Sequence, residues 1–198
     1  MDGQADPKVA TPRISEIVLR TSRYEEMRSW YGAFLSMPPA LETSVSPPSF
    51  DGSERAAPPP ATRLAFFRVF EEYPFAQVIA LFEEHGLGPV VETHGGLHHM
   101  QFLQGDLDAW ADRYDLLKAE GIVPNQTFNH GPSMSCYYKD PDGNVVELSA
   151  RNYADQAAYF RFITSPAFAA NPAGNLVDPD DFVRRLRSGE DRSELVAI

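Results

Sequence analysis

Asp140-Pro141-Asp142-Gly143-Asn144-Val145-Val146-Glu147-Leu148 is the stretch whose reading decides the fold. It reads as a short segment whose apolar strand carries a carboxylate, Glu147, and a second stretch, Gly96-Leu97-His98-His99-Met100-Gln101-Phe102, reads as a strand that carries an imidazole, His99. Burying either group among apolar neighbours is costly unless something charged lies between them. A divalent metal is the simplest such charge, so a metal site is the leading expectation.

The residues around these strands supply the rest of a unit. Helical spacing over residues 106–120 follows the His99 strand, and β-branched or aromatic runs near 122–128, 133–138 and 144–149 predict three more strands. The same order stands upstream. Residues 15–21 form a β-branched run ending at Ser22, a good N-cap with Glu25 in capping-box spacing. Met27, Trp30, Tyr31 and Phe34 then recur at helical spacing until Pro38-Pro39 stops them. Seven prolines crowd residues 38–61, which predicts a loop with at most one edge strand. Runs at 63–70 and 76–82 flank the polar turn Glu71-Glu72-Tyr73-Pro74 as a hairpin.

The chain is therefore a βαβββ unit written twice, over residues 13–83 and 97–150. Spacing checks the repeat: Glu16 precedes Tyr31 by fifteen positions, and His99 precedes Tyr114 by the same fifteen. The expected class is α+β, with two βαβββ modules in an open, cup-shaped mixed sheet as one domain over 13–150, plus a helical tail over 151–198. Helical patterns in the tail lie around 154–168 and 178–186. The second has acids at its start and Arg184, Arg185 and Arg187 at its end, as the helix dipole favours. These arginines read as a solvated face, and the tail is expected to pack on the outside or on a partner subunit.

The 198 residues, 43% of them hydrophobic, suffice for a full core. A formal charge of -11 repels polyphosphate and anionic lipid, which argues against nucleic acid and membrane partners and for a small molecule. The single cysteine, Cys136, excludes an internal disulfide framework and makes the cytoplasm the default compartment. It shares a strand face with Met134 and Tyr138 and reads as a small buried hydrophobe. No apolar stretch approaches the roughly 20 residues that span a bilayer, and residues 1–12 lack the apolar run of a secretory leader.

Together the repeated unit, the strand Glu16-Ile17-Val18-Leu19-Arg20-Thr21, the helix end Trp30-Tyr31-Gly32-Ala33-Phe34-Leu35, the strand Leu97-His98-His99-Met100-Gln101-Phe102 and the closing stretch at 140–148 resemble the vicinal oxygen chelate superfamily. That group includes glyoxalase I, fosfomycin-resistance transferases, bleomycin-binding proteins and type I extradiol dioxygenases. The resemblance implies metal ligands from the first strand of each module and from the last strand: Glu16, His99 and Glu147. Strand alternation puts His98 and His99 on opposite faces, so one ion takes only one of them. The motif selects His99 and leaves His98 on the helix-packed side with Met100 and Phe102. The resemblance also implies Tyr137, ten residues before Glu147, as the tyrosine that hydrogen-bonds a substrate oxygen, with His130 beside it as a catalytic acid–base group. His85 and His94 rank behind His130. The glutamate that glyoxalase-type sites carry at the end of the first module falls on Ala80.

Each residue also has a plainer reading. His99 and Glu147 suit a structural hydrogen-bonded pair, Tyr137 a packing tyrosine and His130 a turn residue. Glu16 suits a solvated acid, although Ile14 and Val18 on its face suggest partial burial. Phe66, Phe67, Phe70, Phe75 and Phe128 either wall an aromatic pocket or fill the core.

The resemblance implies that an ion, Fe(II) or Mn(II), binds two neighbouring substrate oxygens. Extradiol dioxygenase-like cleavage or oxidation of an aromatic diol is the leading activity. A redox-neutral, glyoxalase-like isomerase or lyase acting through an enediolate is the alternative; Glu16 favours it, since ring-cleaving members carry two histidines and one carboxylate. A metal-free small-molecule binding (resistance) protein is a third class, against which the presence of both His99 and Glu147 argues. A homodimer is expected, because half-open sheets cover their edges by pairing.

Overall fold

A computed structural model of the chain describes residues 12–45, 62–88 and 96–198; most of the proline-rich stretch and His94 lie outside the described residues. The chain divides into two compact units, Met1–Gly88 and Pro89–Ile198. Among the described residues no helix is long and apolar enough to cross a membrane.

The first unit runs β1 (Glu16–Thr21), α1 (Tyr24–Leu35), β2 (Leu41–Val45), β3 (Thr62–Glu72) and β4 (Phe75–Glu83). Its open sheet has the order β1-β4-β3-β2, with β1 parallel to β4 and the other pairs antiparallel. Met27, Tyr31 and Phe34, three or four positions apart, form the buried stripe of α1 on β3 and β4. Tyr31 meets Phe67 there at 6.3 Å between ring centroids.

The start of α1 differs from the expected capping box. Ser22 is not the N-cap: its hydroxyl donates to the Leu87 carbonyl (2.9 Å), and the helix begins at Tyr24 behind Arg23 with no side-chain cap. Thr21 Oγ1 instead accepts the Arg23 N–H at 2.8 Å. A tertiary partner for Ser22 has displaced the local one. At the other end, Ser36 in the left-handed region closes the helix just before Pro38, with the Ser36 and Met37 N–H groups on the Ala33 and Gly32 carbonyls.

The second unit repeats the order with β5 (Met100–Leu103), α2 (Leu107–Ala119), β6 (Gln126–Asn129), β7 (Ser133–Lys139) and β8 (Val145–Arg151). Asp106 caps α2 by accepting the Ala109 N–H at 2.8 Å. Trp110, Tyr114 and Leu117 bury one face of the helix, and Trp110 Nε1 donates to the Leu148 carbonyl of β8 at 3.1 Å. Each such buried side chain contributes about 2 kcal/mol of transfer free energy. Met100, Val146, Leu148, Ala150, Met134, Cys136 and Tyr138 form the core side of this sheet. As expected, Cys136 is fully buried; its thiol sits 3.2 Å from Thr127 Oγ1 and is pushed up to about 12 by burial.

The tail departs from the expected pair of helices. It folds as α3 (Gln156–Ile163), α4 (Pro166–Ala170), β9 (Asn175–Leu176), α5 (Pro179–Arg187) and α6 (Arg192–Leu195). The first helical pattern breaks where Ser165 caps a new helix that has Pro166 in its first turn, because proline has no N–H to continue the preceding turns. Strand β9 joins β6, so the sheet reads β5-β8-β7-β6-β9. The tail is thus part of the second unit rather than an outer appendage. Helix α5 lies on α2 through Phe182 edge-on to Trp110 (5.7 Å) and through Asp180, which accepts from Tyr114 OH and Lys118 Nζ. Its arginines are ion-paired rather than simply solvated: Arg184 with Asp181, Arg185 with Glu190, and Arg187 with Asp112 and Asp115 of α2.

The closing stretch is a turn before it is a strand. Asp140 Oδ1 accepts the Asp142 and Asn144 N–H groups at 3.1 and 2.8 Å, and Asp140 Oδ2 accepts from Asn144 Nδ2 at 2.8 Å. This tight loop joins β7 to β8 and sets their register, which places Tyr137 opposite Glu147.

Candidate functional site

Glu147 is the centre of the face of the second sheet that turns away from α2. It pairs in register with Gln101 of β5 on one side and Tyr137 of β7 on the other, and Tyr137 pairs in turn with Gln126 of β6. Side chains paired this way share a face, so the four form one cross-strand row. The Glu147 side chain is only 3% exposed and both its oxygens are engaged: Gln101 Nε2 donates to Oε1 at 2.9 Å, and His99 Nε2 stands 3.1 Å from Oε2. A buried carboxylate persists only with such partners.

The two adjacent histidines do not behave as strand residues. β5 starts at Met100, so alternation does not govern His98. His98 is exposed rather than packed on the helix side, and its Nδ1 lies 2.7 Å from His99 Nδ1. With Nδ1 held by its neighbour, His99 turns Nε2 to Glu147.

Tyr137 is half-buried and extends the site toward β6. Its phenol is pushed up to about 12, first by burial and then by the charge of Glu147. His130 Nε2 lies 3.0 Å from Tyr137 OH, and His130 Nδ1 lies 2.7 Å from the Ala173 carbonyl of the tail. A carbonyl can only accept, so the Nδ1 atom carries a proton. In the neutral ring Nε2 is then an acceptor facing the phenol. Phe128 stacks on His130 with ring centroids 5.5 Å apart and meets Tyr137 edge-on at 6.1 Å.

The remaining candidates are scattered. Glu16 is the first residue of β1 in the first unit and is exposed; Ile14 and Val18 on its face are 72% and 41% exposed, so the expected partial burial does not occur. β1 is an edge strand, and α1 covers the opposite face of its sheet. His85 is exposed in the turn after β4. Of the phenylalanines, Phe67 is core, Phe66 half-buried, and Phe70 and Phe75 exposed.

The donor set of the second unit fits a first-row divalent ion. An imidazole and a carboxylate are donors such ions accept. Two donors each about 2.1 Å from one ion, at roughly a right angle, stand about 3 Å apart, and His99 Nε2 and Glu147 Oε2 are 3.1 Å apart. Within this unit no third His, Cys, Asp or Glu among the described residues completes a group of three.

Gln101 and Ala173 are the residues that sequence reading missed. Gln101 had a signal, since it is a polar residue between Met100 and Phe102 in the apolar run that forms β5. Ala173 had none, because a backbone carbonyl leaves no trace in residue type.

Comparison with known proteins bears on this geometry. Residues 13–148 match the family model of the Glyoxalase/Bleomycin resistance protein/Dioxygenase superfamily. The chain is similar to biphenyl-2,3-diol 1,2-dioxygenase 2 of Rhodococcus globerulus, 32% identical over 180 residues that make up 91% of this chain and 84% of the relative. It is also similar to biphenyl-2,3-diol 1,2-dioxygenase 3 of the same organism, at 29% over 187 residues, 93% and 87% of the two chains. Among solved structures, a glyoxylase/bleomycin resistance protein/dioxygenase domain from Frankia sp. EAN1pec superposes with a TM-score of 0.52 at 17% identity, covering 72% of this chain and 99% of its own, a likeness of fold. The protein belongs to the Glyoxalase/Bleomycin resistance protein/Dioxygenase superfamily.

Proposed function

We propose that the protein is a metal-dependent, extradiol dioxygenase-like enzyme that opens or oxidises the ring of an aromatic vicinal diol. The observation that carries this reading is the buried Glu147, with His99 on one oxygen, Gln101 on the other and the Tyr137–His130 pair beside it. His99, Glu147 and Glu16 would hold the ion, Fe(II) or Mn(II). Glu16 is included because the family resemblance implies a ligand on the first strand of each module. When bound, such an ion would supply the positive charge that lowers the pKa of a diol hydroxyl and the Lewis-acid or redox character that ring opening needs.

The chain's own residues bind and move protons. Tyr137, kept protonated by burial and by Glu147, hydrogen-bonds a diol hydroxyl through its oxygen, which takes up the diol proton as its own passes on. His130 Nε2, 3.0 Å from the Tyr137 hydroxyl, accepts the proton passed on. Phe128, flat on His130, offers an apolar wall to an aromatic ring. Gln101 keeps Glu147 oriented. The names of the two Rhodococcus globerulus relatives support a diol of the biphenyl-2,3-diol class. The reading keeps a small-molecule partner, a cytoplasmic setting and a homodimer.

Protein reconstituted anaerobically with Fe(II) and then given 2,3-dihydroxybiphenyl and oxygen should consume oxygen and form a yellow ring-opened product. Glu147→Ala should lower metal content and cut turnover more than about a hundredfold, beyond the loss typical of a residue that only supports a ligand. No oxygen uptake across a panel of catechols would sink the reading. Glu16, a carboxylate at the first-strand position, favours redox-neutral chemistry as a second reading; turnover that persists without oxygen on Mn(II), Co(II) or Ni(II) would support it.

A further inference from the structure

The turn that carries His130 is gripped by the tail from several sides. Asn129 Nδ2 donates to the Val196 carbonyl at 2.9 Å, and Gly131 is so closely packed that a Cβ there would sit 2.4 Å from the Phe162 ring and 2.7 Å from Ile198 Cδ1. Strand β9 pairs with β6 at Phe128–Leu176 and Asn129–Asn175, which brings Ala173 and Gly174 against the His130 backbone. At Gly174, with φ +77, a Cβ would fall 2.1 Å from the Asn129 carbonyl oxygen and 2.5 Å from His130 Cα. Those are backbone atoms that cannot step aside. Only glycine allows the tail this close, and the approach puts the Ala173 carbonyl 2.7 Å from His130 Nδ1.

We propose that the tail segment Ala173-Gly174 is a positioning element for His130, which holds the imidazole proton on Nδ1 and so presents Nε2 as an acceptor to the Tyr137 hydroxyl. Its functional meaning rests on His130 being the proton-handling partner described above. The carbonyl contributes no atom to chemistry; it decides which nitrogen is free. Without it a solvated imidazole favours the opposite tautomer, in which Nε2 carries the proton and offers the phenol no lone pair.

The test is a long-range proton–nitrogen correlation spectrum of the full chain with labelled histidine, recorded without metal or substrate and assigned by loss of the signal in His130→Gln. Wild type should show the Nδ1–H tautomer at His130. In Gly174→Ala the nitrogen shifts should move to the Nε2–H or an averaged pattern. Gly189→Ala is the control, because Gly189 has a similar φ of +79 with nothing within 4 Å of an added Cβ, and it should leave the Nδ1–H pattern intact. An Nε2–H wild type overturns the proposal whether or not Gly174→Ala folds, and so does a Gly174→Ala protein that keeps Nδ1–H. Because the spectrum involves no turnover, its failure is separate from a failure to cleave diols.

Discussion

The two sheets carry the same cross-strand row with opposite chemistry. In the first, Val18, Ala80, Phe66 and Leu41 pair in register across β1, β4, β3 and β2. In the second, Gln101, Glu147, Tyr137 and Gln126 hold the matching places across β5, β8, β7 and β6. The backbone ladder is common to both. Ala80 is fully buried and needs no partner, whereas the likewise buried Glu147 is held by Gln101 and His99. The polar row lies on one copy of the repeat while the other keeps an apolar row, a contrast carried by side chains rather than by the fold.

The most damaging way to erase the difference is Ala80→Glu. The new carboxylate would lie between Val18 and Phe66, which offer neither amide nor hydroxyl. An uncompensated buried charge costs about 3–5 kcal/mol, which urea denaturation should report as a lowered midpoint. A loss below about 1 kcal/mol would mean that the first sheet tolerates charge and that the contrast between rows is superficial.

Swapping the aromatic positions should have a smaller and asymmetric effect. Tyr137→Phe removes the hydroxyl between Glu147 and His130 and should lower kcat on 2,3-dihydroxybiphenyl by about a hundredfold, the low end for a lost acid–base group. Phe66→Tyr, its counterpart, should leave kcat within about twofold, since surface-near changes of this kind rarely exceed 0.5 kcal/mol. Equal effects from both would remove the functional distinction between the modules.

The smallest expected effect is alkaline. The Tyr137 phenol titrates at about 12 in the fold against 10.0 for the free group, so the unfolded chain releases this proton first. Stability owed to the neutral phenol is therefore fully present below pH 10 and falls as pH rises from 10 toward 12. Tyr137→Phe should make the fall in melting temperature over that range shallower, whereas Phe66→Tyr should not. An unchanged slope in Tyr137→Phe would mean that the phenol ionises as it does in water.

Much of this was legible in the residues. The doubled βαβββ order follows from local signals: the apolar spacing of α1 at Met27, Tyr31 and Phe34, the helical spacing over 106–120, and the β-branched and aromatic runs of the strands. Where a local signal failed, a distant partner had replaced it, as when Leu87 took the Ser22 hydroxyl from the start of α1. His98 was misplaced because alternation holds only inside a strand, and β5 begins two residues later. Pairing β9 with β6 could not be foreseen from a strand of two residues, Asn175 and Leu176, too short to show a period.

By itself the sequence determined the repeat and the order of its elements and, through its family resemblance, singled out His99, Glu147, Tyr137 and His130. These are properties of neighbours a few positions apart, where periodicity and turn chemistry act. Only the tertiary structure decided that Gln101 braces Glu147 across 46 positions and that the Ala173 carbonyl meets His130 Nδ1 across 43. The first depends on strand register and the second on a glycine-permitted backbone approach, and neither is a property of any local run of residues.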